Sequence, residues 1–170
     1  MSEAFIIKLS DDLNAVSPSM IGGKAFALAT LYHRNFSVPK GFVITIHAFN
    51  HYLRFLGLDD NLSQIPLKEK FFINRLPEIQ QKIMFGNVPP DIAESIGRSL
   101  DILAVPLVAV RSSATMEDGE QYSYAGQFES FLNVSKENVL QQVKMCWGSL
   151  FSSRAVAYSK KEINGGKMAV

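Results

Sequence analysis

The chain has 170 residues, which is enough for one domain or two small lobes with a substantial core. Its net charge of +1 gives no broad electrostatic case for binding nucleic acid or an anionic membrane. The single cysteine, Cys146, excludes an intrachain disulfide, and no signal peptide or segment of transmembrane length is visible, so we expect a cytoplasmic protein.

Residues 1–104 are predicted to form a helix-rich part with short strands. The first helix begins at Gly22-Gly23 and places Ala25, Leu28, Ala29 and Tyr32 on one face. The predicted elements, in chain order, are a strand at 5–9, a loop at 11–19, this helix, a strand at 41–46, a helix at 47–58, and mostly helical chain over 59–104 with breaks near 66 and 86–90.

Residues 105–170 are predicted to contain a strand, a phosphate loop, a second strand and a helix. The apolar run Leu107–Val110 predicts a fully buried strand, and the polar segment 112–126 predicts a loop. Alternation over 127–134 predicts a strand with Phe128, Ser130, Leu132 and Val134 on one side. After Ser135 a helix is predicted, with one apolar stripe formed by Val139, Val143, Cys146, Trp147 and Leu150.

Arg111 stands where the apolar run ends and is followed by hydroxyl residues. In open α/β sheets ligands bind beyond the carboxyl ends of strands, and a guanidinium fork suits phosphate oxygens. The neighbouring hydroxyls of Ser112, Ser113 and Thr115 are further donors, although they can equally satisfy turn backbone. A structural pairing of Arg111 with Glu117 or Asp118 remains the alternative interpretation.

Lys24 follows two glycines at the predicted start of a helix. This segment is not a Walker A loop, because Pro18 and Ala25 occupy positions where that motif needs glycine and a hydroxyl residue. Free backbone N–H groups and the helix dipole nevertheless favour an anion there. The alternative is a flexible loop with a solvated lysine.

A second glycine-bearing segment, Ser123–Gln127, is predicted either to fold over a ligand or to form a hairpin loop. Gly126 would let backbone N–H groups approach a phosphate closely, and an inward Ser130 hydroxyl would need a partner such as phosphate. Glu117 and Asp118 are candidates for Mg²⁺ or for ion pairs. The three histidines show no spacing typical of a metal or nucleophilic site.

Several of these segments together resemble one known family. The segments are Ile21–Lys24, Val38–Thr45, Val108–Asp118, Ser123–Val134 and Cys146–Ala155. They are similar to the nucleotide-binding domain of the phosphoenolpyruvate synthase, pyruvate phosphate dikinase and rifampin phosphotransferase family. The resemblance runs from about residue 15 to the last residue, and the order of the segments makes it specific.

The resemblance implies an α+β, ATP-grasp-like fold that binds ATP and Mg²⁺ between two lobes. Family members move the β-phosphoryl group of ATP to a histidine on a swivelling domain and release AMP and phosphate. Lys24 and Arg111 match phosphate-binding positions, Gly126 matches the loop glycine over the phosphates, and Ser130 matches a neighbouring Thr/Ser position. No catalytic or metal-ligating residue is assigned within this chain.

The resemblance also leads us to expect that 1–170 is the N-terminal part of such a domain, with one lobe, the metal ligands and the phosphohistidine domain outside it. We therefore expect weak or no ATP affinity for the chain alone, and the phosphoryl acceptor (pyruvate, a rifamycin or another) stays open. Gly119 and Glu120 depart from the family's Leu-Pro. The alternative is a stand-alone module that binds a phosphorylated ligand or a protein, with self-association through an open strand near 167–170.

Overall fold

A computed structural model of the chain describes residues 4–58, 70–113 and 129–152, and the side chains within these ranges apart from those of 70–73. The described ranges combine helices with two antiparallel strand pairs, which confirms the α+β class. The strands are Ile6–Lys8 (β1), Phe42–Ile44 (β2), Val108–Arg111 (β3) and Ser130–Val134 (β4). The α-helices are Pro18–Ile21 (α1), Gly23–His33 (α2), Ile46–Phe55 (α3), Lys70–Phe85 (α4), Pro90–Leu103 (α5) and Val139–Ser149 (α6).

The first strand pair joins β1 to β2, with Ile7 opposite Val43. Helix α2 begins where the sequence predicts, but its apolar face is only partly covered. Ala25 and Ala29 are buried, whereas Leu28 and Tyr32 are 39% and 45% exposed. One part of this face therefore packs in a small core with Ile7 and Ile21, and another part, which includes Leu28, lines an open cavity.

The predicted loop at 11–19 contains more regular structure than the polar sequence suggested. A 3-10 turn spans Leu13–Ala15, and the Asp12 side chain caps it by accepting from the Asn14 N–H at 2.9 Å. Helix α1 then begins at Pro18, whose fixed φ suits the first helical position. Local capping thus organises a stretch that carries too few apolar residues to show a periodicity.

The main core is formed by helices α3, α4, α5 and α6. Phe49 and Tyr52 of α3 are fully buried, and their rings lie 5.4 Å and 5.2 Å from that of Trp147 on α6. The Tyr52 hydroxyl donates to the carbonyl oxygen of Ile83 on α4 at 2.6 Å. Every residue of the predicted α6 stripe is buried: Val139, Val143, Cys146, Trp147 and Leu150.

Between these helices the predicted break at 86–90 is confirmed, because α4 ends at Phe85 and α5 begins at Pro90. Pro77, by contrast, lies inside α4 without ending it. The predicted break near Pro66 lies outside the described residues, as does the predicted strand near 167–170. No helix within the described ranges is both long enough and apolar enough to cross a bilayer.

The second strand pair differs from the prediction in two ways. Strand β3 is not fully buried: Val108 and Val110 pack against the main core, whereas Ala109 and Arg111 are exposed. The reason is its partnership: among the described residues, β3 pairs only with β4, in an antiparallel two-stranded ribbon that is not covered on both faces. Within the described part of the chain, Arg111 therefore does not lie at the carboxyl edge of a parallel sheet.

The predicted alternation along β4 is also wrong. Val108 pairs with Val134 and Val110 with Phe131, so β4 carries one extra residue between these pairs. Asn133, at φ 55°, makes this β-bulge. The bulge shifts the phase of the strand, so Val134 is buried while Leu132 is 71% exposed and Ser130 is exposed.

Candidate functional site

Gly22 forms the tight junction between α1 and α2. Its φ of 77° and ψ of 159° lie in a region that only glycine adopts readily, and its N–H donates to the Pro18 carbonyl oxygen at 2.8 Å. A Cβ atom built on Gly22 would lie 1.9 Å from the backbone oxygen of Ser113. Glycine is therefore required here both by the backbone angles and by the close approach of another segment.

That other segment is the end of strand β3. The Ala25 N–H, in the first turn of α2, donates to the Ser113 hydroxyl oxygen at 3.0 Å. Ser113 thus caps a helix that begins far away in the sequence and fastens it to the strand that carries Arg111. One helix N–H predicted to be available to an anion is consequently occupied by a serine of the same chain.

Arg111 and Ser130 are direct cross-strand partners in the β3–β4 ladder. Side chains that face each other in this way have Cβ atoms about 4.5–5.5 Å apart on the same face. The structure therefore brings these two predicted residues together, although Ser130 is exposed and not inward as predicted. Because Ser130 is exposed, its hydroxyl needs no buried partner.

A cavity of about 700 Å³ lies between two parts of the molecule. One part is the strand pair β1–β2 with helices α1 and α2, called the β1–β2 unit below, and the other is the surface formed by the end of α5, β3 and α6. This volume is typical of sites for small molecules and cofactors. Lys24 and Arg111 both line it, together with Ser112 and Ser113, whereas Ser130 does not. Two segments that are predicted to bind phosphate thus open onto one shared space.

The described side chains that line this cavity carry charge of one sign. Its described lining carries three cationic side chains, Lys24, Lys40 and Arg111, and no carboxylate, while the remaining lining is mostly apolar. Like charges beside apolar walls concentrate the electric field and favour an anionic ligand. Lys40, in the segment before β2, is a residue that the sequence interpretation missed, because nothing near it in the sequence signals phosphate binding.

Cys146 lines the same cavity but is not available as a nucleophile. Burial, and secondarily the charge of Glu129, raise the pKa of its thiol to about 12. The protonated thiol donates to the Glu129 carbonyl oxygen at 3.4 Å. It contributes apolar packing, as the sequence predicted.

The described residues do not form a metal centre. Among them, no group of three or more His, Cys, Asp or Glu side chains is placed to hold a metal ion. His33 contacts the Asp11 carbonyl oxygen at 2.9 Å, and His51 pairs with Asp91 at 3.0 Å. Four residues that the sequence offered for phosphate or Mg²⁺ binding lie outside the described ranges: Thr115, Glu117, Asp118 and Gly126.

Comparison with known proteins shows which family this chain resembles. The family model described as "Pyruvate phosphate dikinase, AMP/ATP-binding domain" matches residues 18–169. The chain is 36% identical over 168 residues to a Staphylothermus marinus protein named "Probable phosphoenolpyruvate synthase", covering 91% of this chain and 20% of that protein.

Two further relatives have similar coverage. A Bacillus cereus "Rifampicin phosphotransferase" is 37% identical over 147 residues, which is 82% of this chain and 17% of that protein. A "Phosphoenolpyruvate synthase" from Aquifex aeolicus is 35% identical over 179 residues, which is 94% of this chain and 20% of that protein. The chain spans about a fifth of the length of these relatives. The chain belongs to the pyruvate phosphate dikinase AMP/ATP-binding domain family.

Proposed function

We propose that this chain binds the phosphates of ATP through Lys24 and Arg111, in the cavity between the β1–β2 unit and β3. The observation that carries the proposal is that both cations line one cavity whose described charged lining holds no carboxylate. The guanidinium fork of Arg111 suits two phosphate oxygens, and Lys24 adds a point charge from the first turn of α2. In this proposal Ser130 assists from beside Arg111, and Gly126 would let backbone N–H groups approach the phosphates closely.

The proposal extends to the activity that the names of the relatives indicate. Within an ATP-grasp-like domain, 1–104 and 105–170 would be the helix-rich part and the phosphate-loop part of the N-terminal portion. The enzyme would move the β-phosphoryl group of ATP to a histidine on another domain, and that histidine would phosphorylate a final acceptor. The residues of this chain bind and orient the phosphates, which is the main protein contribution to phosphoryl transfer.

Mg²⁺ does not fit the described residues. A magnesium ion needs oxygen ligands, most often carboxylates, and the described charged residues that line the cavity are all cationic. No step of the proposed chemistry is therefore routed through a metal held by the described part of the chain. The chemistry of these residues is electrostatic stabilisation of phosphate oxygens.

Heteronuclear NMR of the ¹⁵N-labelled chain tests the proposal, because it detects dissociation constants in the millimolar range. We expect added MgATP to shift the amide signals of 22–25 and 111–113. Lys24→Ala and Arg111→Ala should each weaken binding by at least about tenfold, as is typical for a hydrogen bond to a charged group.

Matched cations outside the cavity provide the controls. Lys82 on α4 and Arg98 on α5 are exposed and do not line the cavity. Lys82→Ala and Arg98→Ala should leave the affinity for MgATP unchanged. Equal weakening by all four variants would show only a general charge effect, and an unchanged affinity in Lys24→Ala and Arg111→Ala would refute the proposal.

A further inference from the structure

The two cationic segments are held together by a contact that neither cation makes. Ser113 lies two residues beyond Arg111, and its hydroxyl accepts the Ala25 N–H one residue beyond Lys24, at 3.0 Å. Its backbone oxygen occupies the space that a side chain on Gly22 would need. The start of α2 and the end of β3 are thus joined through both the side chain and the backbone of one serine.

We infer that Ser113 is a positioning residue, which acts by fixing Lys24 relative to Arg111 so that both cations face the same anionic ligand. This inference rests on the proposed function. A lysine side chain samples many rotamers, and a helix start that can shift adds further freedom. Fixing the backbone beneath Lys24 reduces the ordering that binding must impose on the site.

Ser113 itself lines the cavity, so a direct contact with the ligand must be separated from positioning. A double-mutant cycle separates them, because a residue that acts through Lys24 loses its effect when Lys24 is removed. We expect Ser113→Ala to weaken MgATP binding about tenfold. Lys24→Ala should weaken it about thirtyfold in the wild-type background and only about threefold in the Ser113→Ala background.

A matched cap variant controls for lost stability. Thr45 caps α3 by accepting the Ala48 N–H, and its side chain does not line the cavity. Thr45→Ala should lower stability by an amount similar to Ser113→Ala or larger, yet leave the affinity for MgATP unchanged. If Thr45→Ala weakens binding as much as Ser113→Ala, the effect is general destabilisation and the inference is overturned.

Amide hydrogen exchange on the wild-type chain gives a test that needs no variant. If the ligand binds only when the Ser113 cap is closed, exchange of the Ala25 amide should slow about tenfold at a ligand concentration ten times Kd. The exposed Lys8 amide, which donates to the Asp11 carboxylate, should not change. Unchanged exchange at Ala25 under saturation would overturn the inference.

The outcomes separate this inference from the proposed function. If Lys24→Ala and Arg111→Ala leave binding intact, the proposed function fails first. If both weaken binding while Ser113→Ala does not, or if Ser113→Ala and Lys24→Ala are additive, the nucleotide site stands and only the positioning role of Ser113 is refuted.

Discussion

Substitution of Gly22 by alanine is the sharpest structural test of the junction beneath Lys24. A backbone with φ 77° and ψ 159° costs a residue with a Cβ atom about 1–3 kcal/mol. The new Cβ atom would also lie 1.9 Å from the Ser113 backbone oxygen, so one of the two segments must move by more than 1 Å. Overpacking of this kind costs about 1–3 kcal/mol, and loss of the Ser113 cap costs about 1 kcal/mol.

These costs share one cause and do not simply add, so we expect Gly22→Ala to lower the free energy of unfolding by about 3–5 kcal/mol. That is a large part of the stability of a typical domain. Urea unfolding followed by Trp147 fluorescence measures it, because Trp147 is the only tryptophan in the chain and is buried beside Phe49 and Tyr52.

Two other glycines separate the two contributions. Gly57 has φ 65° with no atom within 4 Å of a built Cβ, so Gly57→Ala should cost only about 1 kcal/mol of backbone strain. Gly97 lies inside α5, also with open space around it, so Gly97→Ala should stabilise the chain by about 0.5–1 kcal/mol. Because the atom nearest to Gly22 is a backbone oxygen, adding Ser113→Ala should not rescue Gly22→Ala. A Gly22→Ala variant no less stable than Gly57→Ala would refute the close approach of α2 to β3.

Three further predictions concern the buried polar groups. Tyr52→Phe should lower stability by about 1–1.5 kcal/mol in the same urea assay, because it removes a buried hydrogen bond to Ile83; an unchanged midpoint would contradict that bond. Burial raises the pKa of Tyr52 from 10.0 to about 12 and that of Cys146 from 9.0 to about 12. The unfolded chain therefore loses these protons first, so stability should be fully present below pH 9 and fall progressively from pH 9 to 12, with a shallower fall in Tyr52→Phe. The Cys146 thiol should react with an aromatic disulfide reagent at pH 8 much more slowly in the native chain than in urea, and equal rates would show that the thiol is accessible.

Local sequence patterns were sufficient for helices α2, α3, α5 and α6, but not for the short helix α1 or for the second strand pair. The apolar stripe of α6 is a local periodicity, and burial of that stripe follows from it directly. The bulge at Asn133 depends on the register that β4 takes against β3, which no alternation within 127–134 can reveal. Burial of β3 also depends on long-range pairing, because the same apolar run can form a strand covered on both faces or on only one face.

The candidate site shows a similar division between local and long-range signals. Glycines before Lys24 and hydroxyls after Arg111 were visible as separate phosphate-binding patterns, and the family resemblance assigned both residues to phosphate binding. The contact that joins them, from the Ala25 N–H to the Ser113 hydroxyl, spans two segments with no shared sequence pattern. Lys40 gave no sequence signal, because its place on the cavity depends on how the β1–β2 unit packs.

Two predictions were wrong for the second strand pair, the full burial of β3 and the alternation along β4. Both errors arise from the antiparallel pairing of these strands, and this pairing also determines how Arg111 is presented. On a strand buried on both faces, the guanidinium of Arg111 would lose its hydration at a large cost in free energy. In the ribbon, Val108 and Val110 pack against the main core while Arg111 stays exposed at the cavity. The bulge on β4 lets Val134 rejoin the core after Ser130 has been placed opposite Arg111. The irregular pairing that broke the sequence pattern is therefore what allows one short ribbon to support the core and present Arg111 beside a hydroxyl.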